Sequence, residues 1–227
     1  MTKEKKKLSI DNKLNMLRAG VLGANDGILT VVGVIFSVIA ATTSPFIIFI
    51  AGLSDLLSCA FSMSAGEYAS VSSQRDTEKA VVGEEQLRLK SSFEDELKMV
   101  TAFYEKKGVS HETATEIAQE LMQKNALKTA VNVRYDMDLD DYLNPWGAAV
   151  SSLISASLGG FFPLIAMTLA PYSLKMEATI IATIISVGLT GYLSAILGKG
   201  FPKKAVIRNI LIGIITMFIH YYLGKLI

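Results

Sequence analysis

The sequence predicts an all-α integral membrane protein with five transmembrane helices and a helical cytoplasmic insert between spans two and three. Two observations carry that prediction. Hydrophobic residues make up 51% of the chain and the mean hydropathy is +0.40, too apolar for an ordinary soluble protein of 227 residues. The excess is also concentrated, in blocks at about 19 to 71 and 146 to 227, with a stretch of soluble character between them.

Each span is justified in turn by length. Lipid offers no hydrogen-bond partner, so a crossing segment must be a helix of roughly 20 apolar residues or part of a closed barrel. Runs at 19 to 41, 46 to 71, 146 to 170, 177 to 198 and 205 to 224 qualify, and they are continuous where barrel strands would be short and alternating. Turn chemistry separates them at Thr42 to Pro45, at Pro171 to Met176, and at Gly198 to Lys204, which contains Gly200 and Pro202. The first run contains Asp26, exceeds a signal-peptide core in length and lacks a small-x-small site at its end, so no cleaved leader is expected.

Orientation follows from basic residues in short loops, which resist translocation. Lys3, Lys5, Lys6, Lys7, Lys13 and Arg18 belong inside, as do Lys199, Lys203, Lys204 and Arg208. That places the insert inside and the C-terminus outside, with only Lys175 and Lys225 as outer basic residues, and a plasma membrane is the expected location. The expected divisions are a basic cytoplasmic segment at 1 to 18, spans one and two within 19 to 74, an acidic helical cytoplasmic domain at 75 to 144, and spans three to five within 145 to 227.

The insert is acidic on an otherwise basic chain. It holds fifteen Asp and Glu against ten Lys and Arg, leaving six acids and twelve bases elsewhere. The total net charge of +1 provides no concentrated basic face, which excludes nucleic acid as a partner. Phe93, Leu97, Val100 and Tyr104 share one helical face, and Gly108 stops that helix. A second helix follows Ser110 with Ala114, Ile117, Ala118, Leu121 and Met122 in register, and a third is expected over 124 to 135. Its Glu112, Glu116 and Glu120 form a row that is either a solvated acidic face or a place for a cation. The run from Asp136 to Asp141 is no EF-hand loop, because Asp141 stands where the turn glycine belongs and Gly147 where the bidentate glutamate belongs.

Asp26 in the first span and Asp55 in the second carry the chemistry. A carboxylate in hydrocarbon costs about 2.5 to 3.5 kcal/mol even on lenient scales, and the usual compensation is an ion or proton pathway. A hydrogen bond to a neighbouring helix is the structural alternative. Asp55, Cys59, Met63 and Glu67 are spaced by four and so trace one ridge of a helix, offering oxygen, sulfur, sulfur and oxygen. That mixture suits iron, manganese or zinc better than magnesium or calcium, although Cys59 and Met63 taken singly are ordinary packing residues. By depth, Asp26 and Met63 can face each other across a helix pair, and Gly23 and Gly27 form a GxxxG step beside Asp26. His111 is expected on the surface, and His220, before Tyr221 and Tyr222, in an interfacial belt. The lone Cys59 excludes an internal disulfide. There is no phosphate loop, no HExxH and no nucleophile triad, which argues against an enzyme and against a resident cofactor.

Three segments resemble the vacuolar iron transporter family: Gly20 to Gly27 around Asp26, the second span from Ala51 to Ser70 with Ser62 to Tyr68, and Asn144-Pro145-Trp146 opening span three. The resemblance covers nearly the whole chain. It implies a homodimer in the lipid bilayer that moves ferrous iron or manganese out of the cytosol in exchange for protons, with the metal as cargo. The path would lie between subunits, lined by Asp26, by Asp55 where the family carries an acid eight residues before its methionine, and by Met63. Glu67 extends the row. In the insert the resemblance implies metal-gathering residues at Glu96 and Asp136, while Asn132 and Val133 stand where the family's paired methionines would be. Two other readings stay open at this stage: a channel or transporter for another cation, and a non-transporting membrane protein whose insert senses metal or binds a partner.

Overall fold

A computed structural model describes residues 9–139 and 141–226. Lys3, Lys5, Lys6 and Lys7 of the basic segment and Asp140 of the acidic run lie outside the described residues. Those residues form seven α-helices and one short 3-10 turn, with no strand among them: α1 (Ile10–Ala41), α2 (Pro45–Ser91), α3 (Phe93–Lys106), α4 (His111–Tyr135), α5 (Pro145–Leu169), α6 (Lys175–Leu197) and α7 (Pro202–Leu226), with the turn at Tyr172–Leu174. The protein is an all-α integral membrane protein. Five of its helices, α1, α2, α5, α6 and α7, are long and apolar enough to cross a bilayer.

The ends of the helices follow from local chemistry. Ser9 caps α1 by accepting from the Asn12 amide, and Asn144 caps α5 by accepting from the amides of Trp146 and Gly147, with Pro145 in the first turn where no amide partner is needed. Ser110 caps α4. Gly108, at φ 92°, lets the chain leave α3 as the sequence predicts. Two boundaries differ from the apolar runs. Helix α1 begins nine residues before 19, because its polar first turns still have a cap. Helix α2 continues past 71 to Ser91, since that stretch contains no proline and many good helix formers. Helix α4 includes the expected third insert helix and is kinked at Asn125, whose φ of −162° and ψ of 90° are not helical.

By its packing the chain divides into two compact units, one made of residues up to Val71 with Asn144 onward, the other of Ser72–Leu143. In the first, the core joins Val31, Val32, Ile35 and Phe36 of α1 to Ile48 and Leu56 of α2, Leu164 and Met167 of α5, and Met217 of α7. Its outer surface is apolar, with Leu158, Phe162, Ile185 and Leu189 exposed. Such a surface suits contact with lipid rather than water. In the second unit Val100 of α3 packs with Ala118 and Met122 of α4, while Phe93, counted from the sequence among the same face, is 43% exposed.

Candidate ion site within the membrane unit

Helix α1 is anchored to α5 by small residues. A Cβ at Gly23 would come within 2.7 Å of the Ser152 carbonyl oxygen, and one at Gly27 would collide with the Ala156 carbonyl. From the other side, a Cβ at Gly159 would sit 2.5 Å from the Ala24 carbonyl. The GxxxG step seen in the sequence therefore serves the α1/α5 contact. With Gly23 and Gly27 turned to α5, Asp26 is left on a different face of α1, toward α2.

The two helices meet along an antiparallel seam. Arg18 Nη2 lies 2.8 Å from Glu67 Oε2. Two turns further along α1, Cys59 Sγ donates to Asp26 Oδ2 at 3.5 Å. One more turn brings Thr30 beside Asp55. Every step of four residues along α1 is thus matched by a step of four back along α2, and the register sets Met63 level with Leu22, between the Arg18 and Asp26 rungs. This corrects the expected facing of Asp26 and Met63: the side chain opposite Asp26 is Cys59, because the α1–α2 register is shifted by one turn relative to the depth argument.

The rungs differ in how well their carboxylates are satisfied. Glu67 is 6% exposed and is held by a guanidinium. Among the described residues, Asp26 accepts from the Cys59 thiol, a weak donor. Asp55 is the least satisfied, since its Oδ2 is buried without a hydrogen-bond partner and Thr30 Oγ1, although adjacent, makes no bond of good geometry. Asp26 and Asp55 are close enough to feel each other's charge, as are Asp55 and His220. Two carboxyl groups are therefore placed near each other in an apolar bundle, one of them with an oxygen that lacks a hydrogen-bond partner.

The His220 ring turns toward α1: it lies over Gly33, where a Cβ would be 2.9 Å from the ring atoms, and Ser37 Oγ is 3.3 Å from its Nδ1. Glycine at 33 is what admits the ring into the bundle. The sequence reading also passed over Asn209 of α7, which donates to Asn25 Oδ1 at 3.3 Å beside Asp26 and to the Val187 carbonyl at 3.4 Å. A lone Asn in each of two apolar runs was the available signal.

In the second unit Glu96 is 5% exposed and accepts a hydrogen bond from Arg134 Nη2. Arg134 Nε also lies 3.1 Å from Glu85 Oε2, and Glu85 is wholly buried. Burial holds the Glu85 carboxyl above the ordinary glutamate range, with the neighbouring Glu96 adding to that effect and Arg134 and Arg88 opposing it. Asp136 is exposed and occupies the left-handed position, φ 54°, that ends α4. Glu112, Glu116 and Glu120 all face solvent, and His111 is exposed beside Glu105. Among the described residues no three His, Cys, Asp or Glu side chains gather in a group able to hold a metal ion.

A five-span helical bundle with acidic side chains along one interhelical seam defines a polytopic membrane protein. A model of the VIT family matches residues 17–225. A vacuolar iron transporter of Acanthamoeba castellanii is 37% identical over 158 residues, covering 69% of this chain and 57% of that protein. Vacuolar iron transporter homolog 3 of Arabidopsis thaliana is 27% identical over 225 residues, 99% of this chain and 89% of that protein, and homolog 2.1 of the same plant is 25% identical over 226 residues, 99% and 87%. The chain belongs to the VIT family.

Proposed function

We propose that this protein is a divalent transition-metal transporter that exports ferrous iron or manganese from the cytosol in exchange for protons, working as a homodimer. The observation that carries the proposal is the buried, unbonded Asp55 Oδ2 placed within reach of the Asp26 charge inside an apolar bundle. A passing dication supplies the compensation that the bundle withholds, and Cys59 and Met63 on the same seam add the softer donors that iron and manganese accept. Relatives named as iron transporters point to the same cargo.

Proton exchange has a physical basis in the same site. Once a cation leaves, a carboxylate in a low-dielectric setting favours its neutral form, so release of metal and uptake of a proton are coupled. The homodimer is supported by α2, where Ser54, Ser58 and Ser62 are all exposed at steps of four within an apolar span. A row of small hydroxyl residues lets a second α2 approach closely and hydrogen-bond across the contact, and that copy would add its own Asp55 and Met63 to complete a ligand set. The basic residues of the short loops support an orientation with the N-terminus and insert cytoplasmic, and a plasma membrane is the proposed location. The sensor alternative is disfavoured because the Glu96 carboxylate is already held by Arg134.

Acid-loaded proteoliposomes containing the protein should take up Fe2+ or Mn2+ from a neutral medium, and dissipating the pH gradient should stop net uptake. Equal uptake without the gradient would point to a channel, and no uptake of either metal would refute the transporter.

A further inference from the structure

We infer that Arg18 is a tethered counter-ion that occupies Glu67 until a cation arrives, so that it sets the apparent affinity at the N-terminal end of the α1/α2 seam. The inference rests on the transport reading above and deepens it by assigning a role to a residue outside the ligand set.

Glu67 is 6% exposed while Arg18 is 54% exposed, so the guanidinium covers a carboxylate that is otherwise shut off from water. A buried carboxylate needs a counter-charge, and a dication would serve as well as an arginine. The two cannot share it: the guanidinium is 2.8 Å from Oε2 and would repel an ion at the same oxygens. The pair lies two helical turns, about 12 Å, from the Asp26–Cys59 rung on both helices, so it stands at one end of the same seam.

Displacement is also mechanically simple. Arg18 Nη2 has a second acceptor one turn back on its own helix, Asn15 Oδ1 at 3.2 Å. A guanidinium pushed off Glu67 stays held by Asn15 and remains half in water, so it can return when the ion moves on. Hydration keeps the exchange shallow, because an ion pair with a half-exposed partner is weak.

The test separates competition from a mere clasp between helices. Mn2+ uptake by proteoliposomes and equilibrium Mn2+ binding to the full chain in detergent are measured for Arg18→Gln, Arg18→Lys and Glu67→Gln, with size-exclusion profiles to report folding. Removing the competitor should lower KM and Kd about fivefold in Arg18→Gln, while removing the acceptor should raise both in Glu67→Gln. Arg18→Lys, which keeps the charge, should bring both values back toward those of the natural chain. Shifts in the same direction for Arg18→Gln and Glu67→Gln, or no shift in Arg18→Gln, would overturn the inference while leaving the transport reading intact. Absence of transport by the unaltered chain would instead remove the transport reading and this inference with it. If Arg18→Gln does not fold, a Glu67→Gln chain whose KM and Kd are unchanged refutes the inference by itself.

Discussion

Replacing Arg134 with methionine should loosen the second unit while leaving the membrane unit intact. Arg134 is the cation in ion-pair contact with two acids, Glu85 at 0% exposure and Glu96 at 5%, Arg88 also acting on Glu85, and methionine keeps most of its apolar volume while removing the charge. Deleting one partner of a buried ion pair costs about 3 to 5 kcal/mol, because the remaining charge is stranded. Arg134 is itself 27% exposed, so some water reaches the cluster and the lower end of that range, about 3 kcal/mol, is expected. Opening of the unit should then be favoured on the order of a hundredfold. Hydrogen exchange on the full chain reads this directly: the slowest amides of α3 and α4 should exchange faster by that factor, with those of α5 and α6 unchanged. Adding Glu85→Gln and Glu96→Gln to Arg134→Met should recover much of the protection, since no stranded charge remains. Unchanged exchange in Arg134→Met, or an effect confined to the membrane helices, would refute the reasoning.

The remaining predictions concern packing, protonation and donor softness. Gly27→Ala should lower the thermal midpoint in detergent by the equivalent of about 1 to 3 kcal/mol, because the Ala156 carbonyl occupies the place of the new methyl. Gly83→Ala, with nothing within 4 Å, should raise the stability of α2 by about 0.5 to 1 kcal/mol. The Glu85 carboxyl is raised in the folded chain, so the folded unit binds its proton more tightly than the unfolded chain does. Protection of the second unit should therefore rise as pH falls from neutrality toward the ordinary glutamate value, and Glu85→Gln should flatten that dependence. Cys59→Ser keeps a donor to Asp26 while removing the sulfur, and should shift competitive uptake from Fe2+ toward Mn2+.

Much of the architecture was legible because the signals are local. Twenty-residue apolar runs and the stop at Gly108 act within a turn or two of where they stand. The four-residue row Asp55, Cys59, Met63 and Glu67 was legible for the same reason, since spacing alone puts it on one face. What faces that row was not, because helix register is set by packing across the bundle. Gly23 and Gly27 are spent on α5, which fixes the rotation of α1 and hence turns Asp26 toward Cys59 rather than Met63. The long-range pairs were hidden as well: Arg18 reaches Glu67 and Arg134 reaches Glu85 each across 49 positions, and in the sequence Arg18 is one of the basic residues that set orientation while nothing singles out Arg134. The contact of His220 with α1 was hidden because the residue that admits its ring, Gly33, is on another helix.

The central claim is that charge is kept in the membrane seam for a cation that passes through it. Mn2+ flux by Asp26→Asn in acid-loaded proteoliposomes addresses this most directly, since asparagine preserves shape and a hydrogen bond with Cys59 while removing the charge. The account predicts flux at the level of empty liposomes from a chain that elutes as the unaltered protein does; flux equal to that of the unaltered protein would contradict it.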